Sequence, residues 1–310
     1  MNNNTVWVLG SSNIDLTHNV KKLPQKGETI FSDNCLIGTG GKGANQAVAA
    51  AHFGSNVSFV GAVGDDANGQ VLLNTLKSYG INTQYVHVVQ NMESGNALIL
   101  VDENGSNIIS VFPGANNYIP LSILDEISFK RRDILIAQLE VNMEVIDKSF
   151  ELAKQHHVIT VLNPSPYKNL SENLLRNIDI IIVNEIEGRL LSNINVDNEI
   201  SAKMCAQEIK KMGVNNVIVT LGKLGVVLAT NCNTIYFPGH NVNVVDTQGA
   251  GDAFLGTTVS QIYKNKSIEE AVSLANYIAS ITVTREGSTQ VCLPDLEKIN
   301  MNYESKHYFL

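Results

Sequence analysis

Short apolar runs ending in glycine or polar residues alternate along this chain with longer stretches of helical character. Thr5–Gly10 (TVWVLG) is the first run and reads as a buried strand. Asn56–Gly64 reads as another. Asp65, Asp66 and Gly69 then open a helix to about Tyr79, which Gly80 stops. Those acids suit a helix N-terminus, and no catalytic role is assigned to them. From Asp133 onward the rhythm is regular. Ile134–Gln138, Val158–Leu162, Ile178–Val183, Asn216–Thr220 and Asn233–Pro238 read as strands. Met143–His156, Glu185–Leu191, Glu199–Met212 and Ser267–Thr284 read as helices. Such alternation predicts an α/β fold with a mostly parallel sheet and helices on both faces.

Two stretches break the rhythm. Thr17–Ile37 mixes polar and β-prone residues around Pro24 and Gly27, without helical periodicity. Ala97–Val101 and Asn107–Val111 flank Asp102-Glu103-Asn104-Gly105, which is a hairpin signal. Together they predict a small separate sheet, with lid strands at about 16–38 and 96–112. The whole of 1–310 reads as one domain, and the tail Met301–Leu310 is expected to fray.

The polar ends of the runs carry the candidate chemistry. Val242–Val245 is an apolar, β-prone approach to Asp246, the turn Gly249-Ala250-Gly251, and Asp252. The apolar run after Asp252 continues as a helix through about Tyr263. A glycine turn feeding a helix leaves backbone N–H groups free to hold an anion. A carboxylate there would repel the anion, unless it takes a proton from a nucleophile while the N–H groups hold a transferring phosphoryl group. An ordinary N-cap accounts for Asp252 equally well.

Asn13 and Asp15 follow the first strand and alternate around Ile14, which suits vicinal hydroxyls, although an Asx-turn is the simpler reading. Gly38–Ala51 is a glycine turn feeding an alanine-rich helix that ends near Gly54. It lacks Walker A spacing. Lys42 and Asn45 sit where they could reach a small polar ligand, the alternative being a tight turn with a solvated lysine. Asn184 and Glu187 lie three apart, as Mg²⁺-organising oxygens or as an N-cap with a first-turn acid. Leu221–Gly225 (LGKLG) is a further glycine loop.

Composition narrows the classes. Hydrophobic content of 44% and charged content of 17% describe a packed globular chain. The net charge of −8, with no basic cluster longer than Lys130-Arg131-Arg132, argues against nucleic acid. The four cysteines are far apart and form no zinc pattern, so they are expected to be reduced and structural in a cytoplasmic protein. No signal peptide or membrane span is expected.

These signals align with one family. GSSNID at Gly10–Asp15, GGKGANQAVAA at Gly40–Ala50 and VDTQGAGDAF at Val245–Phe254 resemble the motifs of the ribokinase family of sugar kinases. QLE, LNPSP, NEIE and TLGKLG, at 138–140, 162–166, 184–187 and 220–225, follow in the family's order. The resemblance spans nearly the whole chain. It implies a three-layer αβα core with a β lid, and a homodimer paired through that lid. It implies phosphorylation of D-ribose at the 5-hydroxyl by ATP with Mg²⁺, activated by a monovalent cation, usually K⁺. By position it makes Asp252 the base, with Gly249, Ala250 and Gly251 forming the anion hole. Asn13, Asp15, Gly41, Lys42, Gly43, Asn45, Glu140 and Asp252 fall at sugar ligands. Asn184, Thr220, Gly222, Gly225, Gly251 and Asn276 fall on the nucleotide side. Asn184 and Glu187 match the Mg²⁺ motif, acting through water. Asp246, Gln248, Thr282, Arg285 and Gly287 fall at the K⁺ site, mostly through backbone carbonyls. A deoxyribokinase or another pentose or nucleoside kinase is the nearest alternative, and a non-catalytic sugar-binding regulator a more distant one. A Rossmann dehydrogenase is set aside: Gly38–Gly43 has GxGxxG spacing, but the stretch before it, Thr17–Ile37, reads as strands that leave the main sheet and not as the first strand of a βαβ unit.

Overall fold

A computed structural model describes residues 4–285, together with Gly287, Leu293 and Pro294. Met301–Leu310, Glu286, Ser288, Thr289 and Cys292 lie outside the described residues. The first half of the chain runs β1 (Val6–Leu9), β2 (Asn13–Asn19), β3 (Asn34–Gly40), α1 (Lys42–His52), β4 (Val57–Gly64), α2 (Ala67–Ser78), β5 (Asn82–Val89), β6 (Gly95–Val101) and β7 (Asn107–Phe112). Two short 3-10 helices, Gly114–Tyr118 and Leu121–Glu126, lead into β8 (Ile134–Gln138), α3 (Met143–Gln155), β9 (Ile159–Asn163) and α4 (Glu172–Arg176). The chain continues through β10 (Ile180–Val183), α5 (Glu185–Ser192), α6 (Glu199–Lys211), β11 (Asn216–Thr220), β12 (Gly225–Ala229), β13 (Thr234–Pro238), α7 (Ala250–Tyr263) and α8 (Ile268–Thr282).

The strands form two sheets. The larger has nine strands in the order β13-β12-β11-β10-β9-β8-β1-β4-β5. Its pairings are parallel from β5 to β11 and antiparallel for β12 and β13. The smaller has four strands in the order β3-β2-β6-β7.

Side-chain alternation along each strand sorts the core into two layers. Val6 and Val8 of β1 and Ile134 and Ile136 of β8 pack with α1, α7 and α8. Trp7, Leu9, Leu135 and Ala137 face the other way, against α3 and α6. This is the αβα sandwich that the strand–helix rhythm and the family resemblance led us to expect. Polar residues fix the helix starts: the Asp66 carboxylate accepts from the Gly69 N–H at 2.7 Å, and Ser267 and Glu270 form a capping box on α8.

The structure corrects several expectations. Val242–Val245 forms no strand. Val244 and Val245 are exposed, and the Val245 and Asp246 N–H groups both donate to the Val283 carbonyl. Asn13 and Asp15 occupy no turn at the end of β1 but open β2, where the chain leaves the large sheet. The segment 20–33 within the expected lid stretch carries no strand. β5 and β12 were not foreseen: β5 is a half-exposed edge strand, and β12 follows a glycine loop directly. Cys35 and Cys232 are exposed rather than structural, and only Cys205 among the described cysteines is buried.

α1 and α7 pack tightly enough that a Cβ on Gly256 would collide with the Ala49 Cβ and stand 2.8 Å from the Ala50 nitrogen. Gly256→Ala therefore introduces overpacking where helix propensity alone would favour alanine by about 1 kcal/mol. We expect a net destabilisation of about 1–3 kcal/mol in urea unfolding. An unchanged or higher midpoint would show that the two helices separate without cost.

Candidate active site

The chain leaves β1 through Gly10-Ser11-Ser12 and returns from β3 into the turn before α1, so both segments meet above one edge of the large sheet. Gly43 must be glycine there, because a Cβ would stand 2.7 Å from the Gly10 Cα. Gly41, with φ 89°, is the N-cap of α1, and Lys42 and Asn45 occupy that helix's first turn. Glu140, just past β8, accepts from the Ser11 hydroxyl and from the Lys42 N–H, the latter at 3.1 Å. The glycine turn, β1 and β8 are thereby tied to one carboxylate.

Asp252 approaches from α7. Gly249 is the helix N-cap in the left-handed region, with φ 72°, and offers no side-chain cap. Asp252 therefore does not cap its own helix. Its carboxylate, only 8% exposed, accepts from the Asn45 amide at 3.3 Å and the Gln46 amide at 2.9 Å, both from α1. Ala250 donates weakly to the Thr247 carbonyl at 3.4 Å. Among the described residues the N–H groups of Gly251 and Asp252 have no backbone partner. Gly251 is exposed, with open space where a side chain would stand. A buried carboxylate beside free amides at a helix N-terminus is the juxtaposition the sequence pointed to.

The surrounding charges are acidic carboxylates around one cation. Burial alone would lower the Lys42 pKa, but Asp252, Glu140 and Glu187 face it and raise it overall. Burial raises Asp252, opposed by Lys42 and by the Gln46 and Asn45 hydrogen bonds. Burial, then Glu140, then Asp252 push Asp15 from 3.8 to about 7. Asn13 is buried, and its Oδ1 accepts from the Asn116 amide at 2.8 Å.

Toward the other end of the sheet edge, Asn184 caps α5 and forms a capping box with Glu187, which is 6% exposed. Asn184 Oδ1 accepts from the Ile186 and Glu187 N–H groups, and Glu187 Oε2 accepts from the Asn184 N–H. The capping reading is thus correct for the pair. Thr220 ends β11 with its hydroxyl 3.4 Å from the Val183 carbonyl, and Gly222 and Gly225 shape the turn into β12. Asn276 on α8 donates to the Pro238 carbonyl at 2.8 Å. The Asp246 carboxylate accepts from the Gln248 N–H at 2.9 Å and the Gly287 N–H at 3.2 Å. The Thr282 carbonyl accepts from the Arg285 N–H, and the Arg285 guanidinium turns to the Leu293 carbonyl. Among the described residues no cluster of three or more His, Cys, Asp or Glu side chains is placed to hold a metal.

The model of the pfkB family carbohydrate kinases matches residues 3–296. This chain belongs to that family. A ribokinase of Staphylococcus aureus is 38% identical over 303 residues, covering 96% of this chain and 99% of that one. A deoxyribokinase of Salmonella typhi is 36% identical over 298 residues, covering 95% and 97%. Among solved structures, an Arabidopsis thaliana ribokinase complexed with ribose and ATP superposes with a TM-score of 0.86 at 29% identity, covering 97% of this chain and 98% of that one. The chain is thus a sugar kinase, a phosphotransferase of the ribokinase fold.

Sequence reasoning missed Ser11, Gln46, Asn116 and Gln138, all buried polar residues of this site. Ser11 lay inside the GSSNID motif, and Gln46 and Gln138 inside GGKGANQA and QLE, but no spacing to a charged partner in the sequence singled them out. Asn116, in the first 3-10 helix, had no motif around it.

The position of Asp15 yields a pH prediction. Its folded value, about 7, exceeds the ordinary 3.8, so between those values the folded state holds a proton the unfolded state has lost. Its cost to stability therefore grows as pH rises from about 4 to about 7 and is constant above. Asp15→Asn should gain stability relative to the parent across that window and no further. A difference in urea midpoints independent of pH would contradict the assignment.

Proposed function

We propose that this kinase transfers the γ-phosphoryl group of ATP to the 5-hydroxyl of D-ribose, giving D-ribose 5-phosphate and ADP. The observation that carries the reading is the buried Asp252 carboxylate beside the free N–H groups of Gly251 and Asp252. Asp252 accepts the hydroxyl proton as the sugar oxygen attacks, the O–H bond breaks, and the γ-phosphorus passes in line to that oxygen. The N–H groups of Ala250, Gly251 and Asp252 hold the transferring group, and the bridging oxygen leaves with ADP. Lys42 opposes the charge gathering between the carboxylates and the phosphoryl group. Asn13, Asp15, Asn45 and Glu140, with the Gly41–Gly43 turn, bind the sugar hydroxyls.

On the nucleotide side, Asn184, Thr220, Gly222, Gly225 and Asn276 take ATP. The Asn184 and Glu187 capping box leaves Glu187 Oε1 outside its hydrogen bonds, which fits a hydrated Mg²⁺ carried in on the phosphates and not a fully protein-ligated ion. Mg²⁺ held near Asn184 and Glu187 would supply positive charge to offset that of the phosphates. Asp246, Gln248, Thr282, Arg285 and Gly287 are drawn together by the Asp246 bonds and the turn after α8, which fits a K⁺ held by backbone carbonyls.

The reading treats 1–310 as one kinase domain. The four-stranded sheet is its lid, closing on the sugar and excluding water from ATP. The face of that sheet carrying Ile37, Leu98, Ile108 and Phe112 is exposed and apolar, and it suits a second copy of this chain. No described helix is long and apolar enough to cross a membrane, and we assign the enzyme to the cytoplasm. Within the family the deoxyribokinase resemblance keeps 2-deoxyribose as the second reading, and buried, polar Asn13 favours the fully hydroxylated sugar. The intact Asp252 environment argues against a non-catalytic regulator.

An ATP-consumption assay with Mg²⁺ and K⁺ tests this. Ribose should be preferred over 2-deoxyribose, adenosine and fructose 6-phosphate, and Asp252→Asn should lower turnover by about 10²- to 10⁴-fold with sugar affinity nearly kept. Deoxyribose preference would overturn the substrate, and near-parental turnover of the variant the base. For the dimer, Ile108→Glu should sediment as a monomer where the parent sediments as a dimer. A parent that is monomeric at micromolar concentration would contradict the lid interface.

A further inference from the structure

Behind Asp252 lies a row of amide side chains that the mechanism above does not use. The Gln46 amide nitrogen donates to Asp252 Oδ1 at 2.9 Å and to Asn163 Oδ1 at 3.4 Å. Gln46 Oε1 accepts from the Gln138 amide at 2.5 Å, and the Asn163 amide donates to the Ile182 carbonyl at 3.0 Å. Gln46 and Gln138 are each 0% exposed. Three secondary-structure elements contribute: α1, β8 and β9.

The direction of every bond in this row follows from its ends. A backbone carbonyl only accepts, so Asn163 turns its nitrogen to Ile182 and its oxygen to Gln46. An ionised carboxylate only accepts, so Gln46 turns its nitrogen to Asp252. Its oxygen must then face Gln138, which turns its own nitrogen inward. The Gln138 Oε1 is left buried without a hydrogen-bond partner, beside Gly10, where a Cβ would collide with it. That unpaired oxygen costs stability and is the residue of a row with only one self-consistent direction. Reversing Gln46 would set its oxygen against Asp252 Oδ1 and against Asn163 Oδ1 at once.

We infer that Gln46, oriented by Gln138 and Asn163, is a positioning residue that keeps Asp252 Oδ1 unprotonated, so that the sugar proton is taken at Oδ2. Among the described residues Oδ2 takes only the long 3.3 Å bond from Asn45, and it is the oxygen left for substrate. Other charges also face this carboxylate: Lys42 from α1, Glu140 from the end of β8 and Asp15 from β2, with Glu187 of α5 facing Lys42. None of them sets which oxygen takes the proton, because none is hydrogen-bonded to Asp252. The inference rests on Asp252 being the base.

The test is steady-state kinetics of Gln46→Met, which keeps the volume and removes both donors, and of Gln138→Met, which does not touch Asp252. For Gln46→Met we expect kcat to fall about 10- to 100-fold, the loss of a hydrogen bond to a charged group, with the KM for ribose within about threefold. The acid limb of the kcat profile should move to higher pH, since the bond that favours the charged form is gone. Gln138→Met should move kcat and the limb in the same direction by less. The double variant should be no worse than Gln46→Met alone. Parental kcat and limb in both variants, or kcat and KM changing in step, would overturn the inference. If Gln46→Met does not fold, Gln138→Met decides alone by the position of its acid limb. Asp252→Asn measured alongside separates the failures: turnover there sinks the base itself, whereas an inactive Asp252→Asn with a fully active Gln46→Met sinks only the positioning role.

Discussion

A carboxylate buried between two helices is the constraint on which the site depends. Asp252 sits in the first turn of α7 with 8% exposure, and α1 supplies what makes that tolerable: Lys42 nearby, and amide donors from Asn45 and Gln46. An unpaired buried charge would neutralise itself or unfold its surroundings. The close contact of Gly256 with Ala49 and Ala50 is thus also an electrostatic requirement, because it sets the reach of the α1 donors. The alanine-rich face of α1 is narrow so that α7 can come near.

The same constraint explains the pKa pattern. Asp252, Glu140 and Glu187 face Lys42, and Glu140 and Asp252 also face Asp15, more negative charge than one ammonium can balance in a buried space. Asp15, on the strand that starts the smaller sheet, is pushed up to about 7. A polyhydroxyl ligand donating hydrogen bonds to these acids, and Mg²⁺ with its phosphates nearby, would redistribute that charge. In the proposed reading the acidic pocket is held for substrate, and the smaller sheet carries one of its acids toward or away from the rest as it moves.

Much of this was legible in the residues. The strand–helix alternation after Asp133 located β8 to β11 within one or two residues, because buried parallel strands are short apolar runs with polar ends. The glycine turns and the acid at Asp252 pointed to the proposed site because a glycine turn feeding a helix leaves backbone N–H groups free to hold an anion. What escaped notice had weak local signal. β5 is an edge strand with half-exposed positions, and Val242–Val245 looked like a strand but ends with the Val245 and Asp246 amides both on the Val283 carbonyl. At Asn184 and Glu187 the spacing encoded a capping box, which engages Asn184 Oδ1 and Glu187 Oε2 and is compatible with Mg²⁺ held through water. Gln46, Gln138 and Asn116 are uncharged, and only the fold brings each beside a charged or polar partner far away in sequence.

The central claim is that Asp252 Oδ2 faces the hydroxyl that is phosphorylated, with the first-turn amides of α7 behind the transferring group. A crystal structure with D-ribose, ADP, Mg²⁺ and an aluminium fluoride mimic of the phosphoryl group would test it most directly. The account predicts the sugar 5-oxygen at roughly 2.6–3.2 Å from Asp252 Oδ2 and the mimic over the Gly251 and Asp252 N–H groups. A sugar bound with its 5-oxygen turned away from Asp252, or a mimic seated elsewhere, would contradict it.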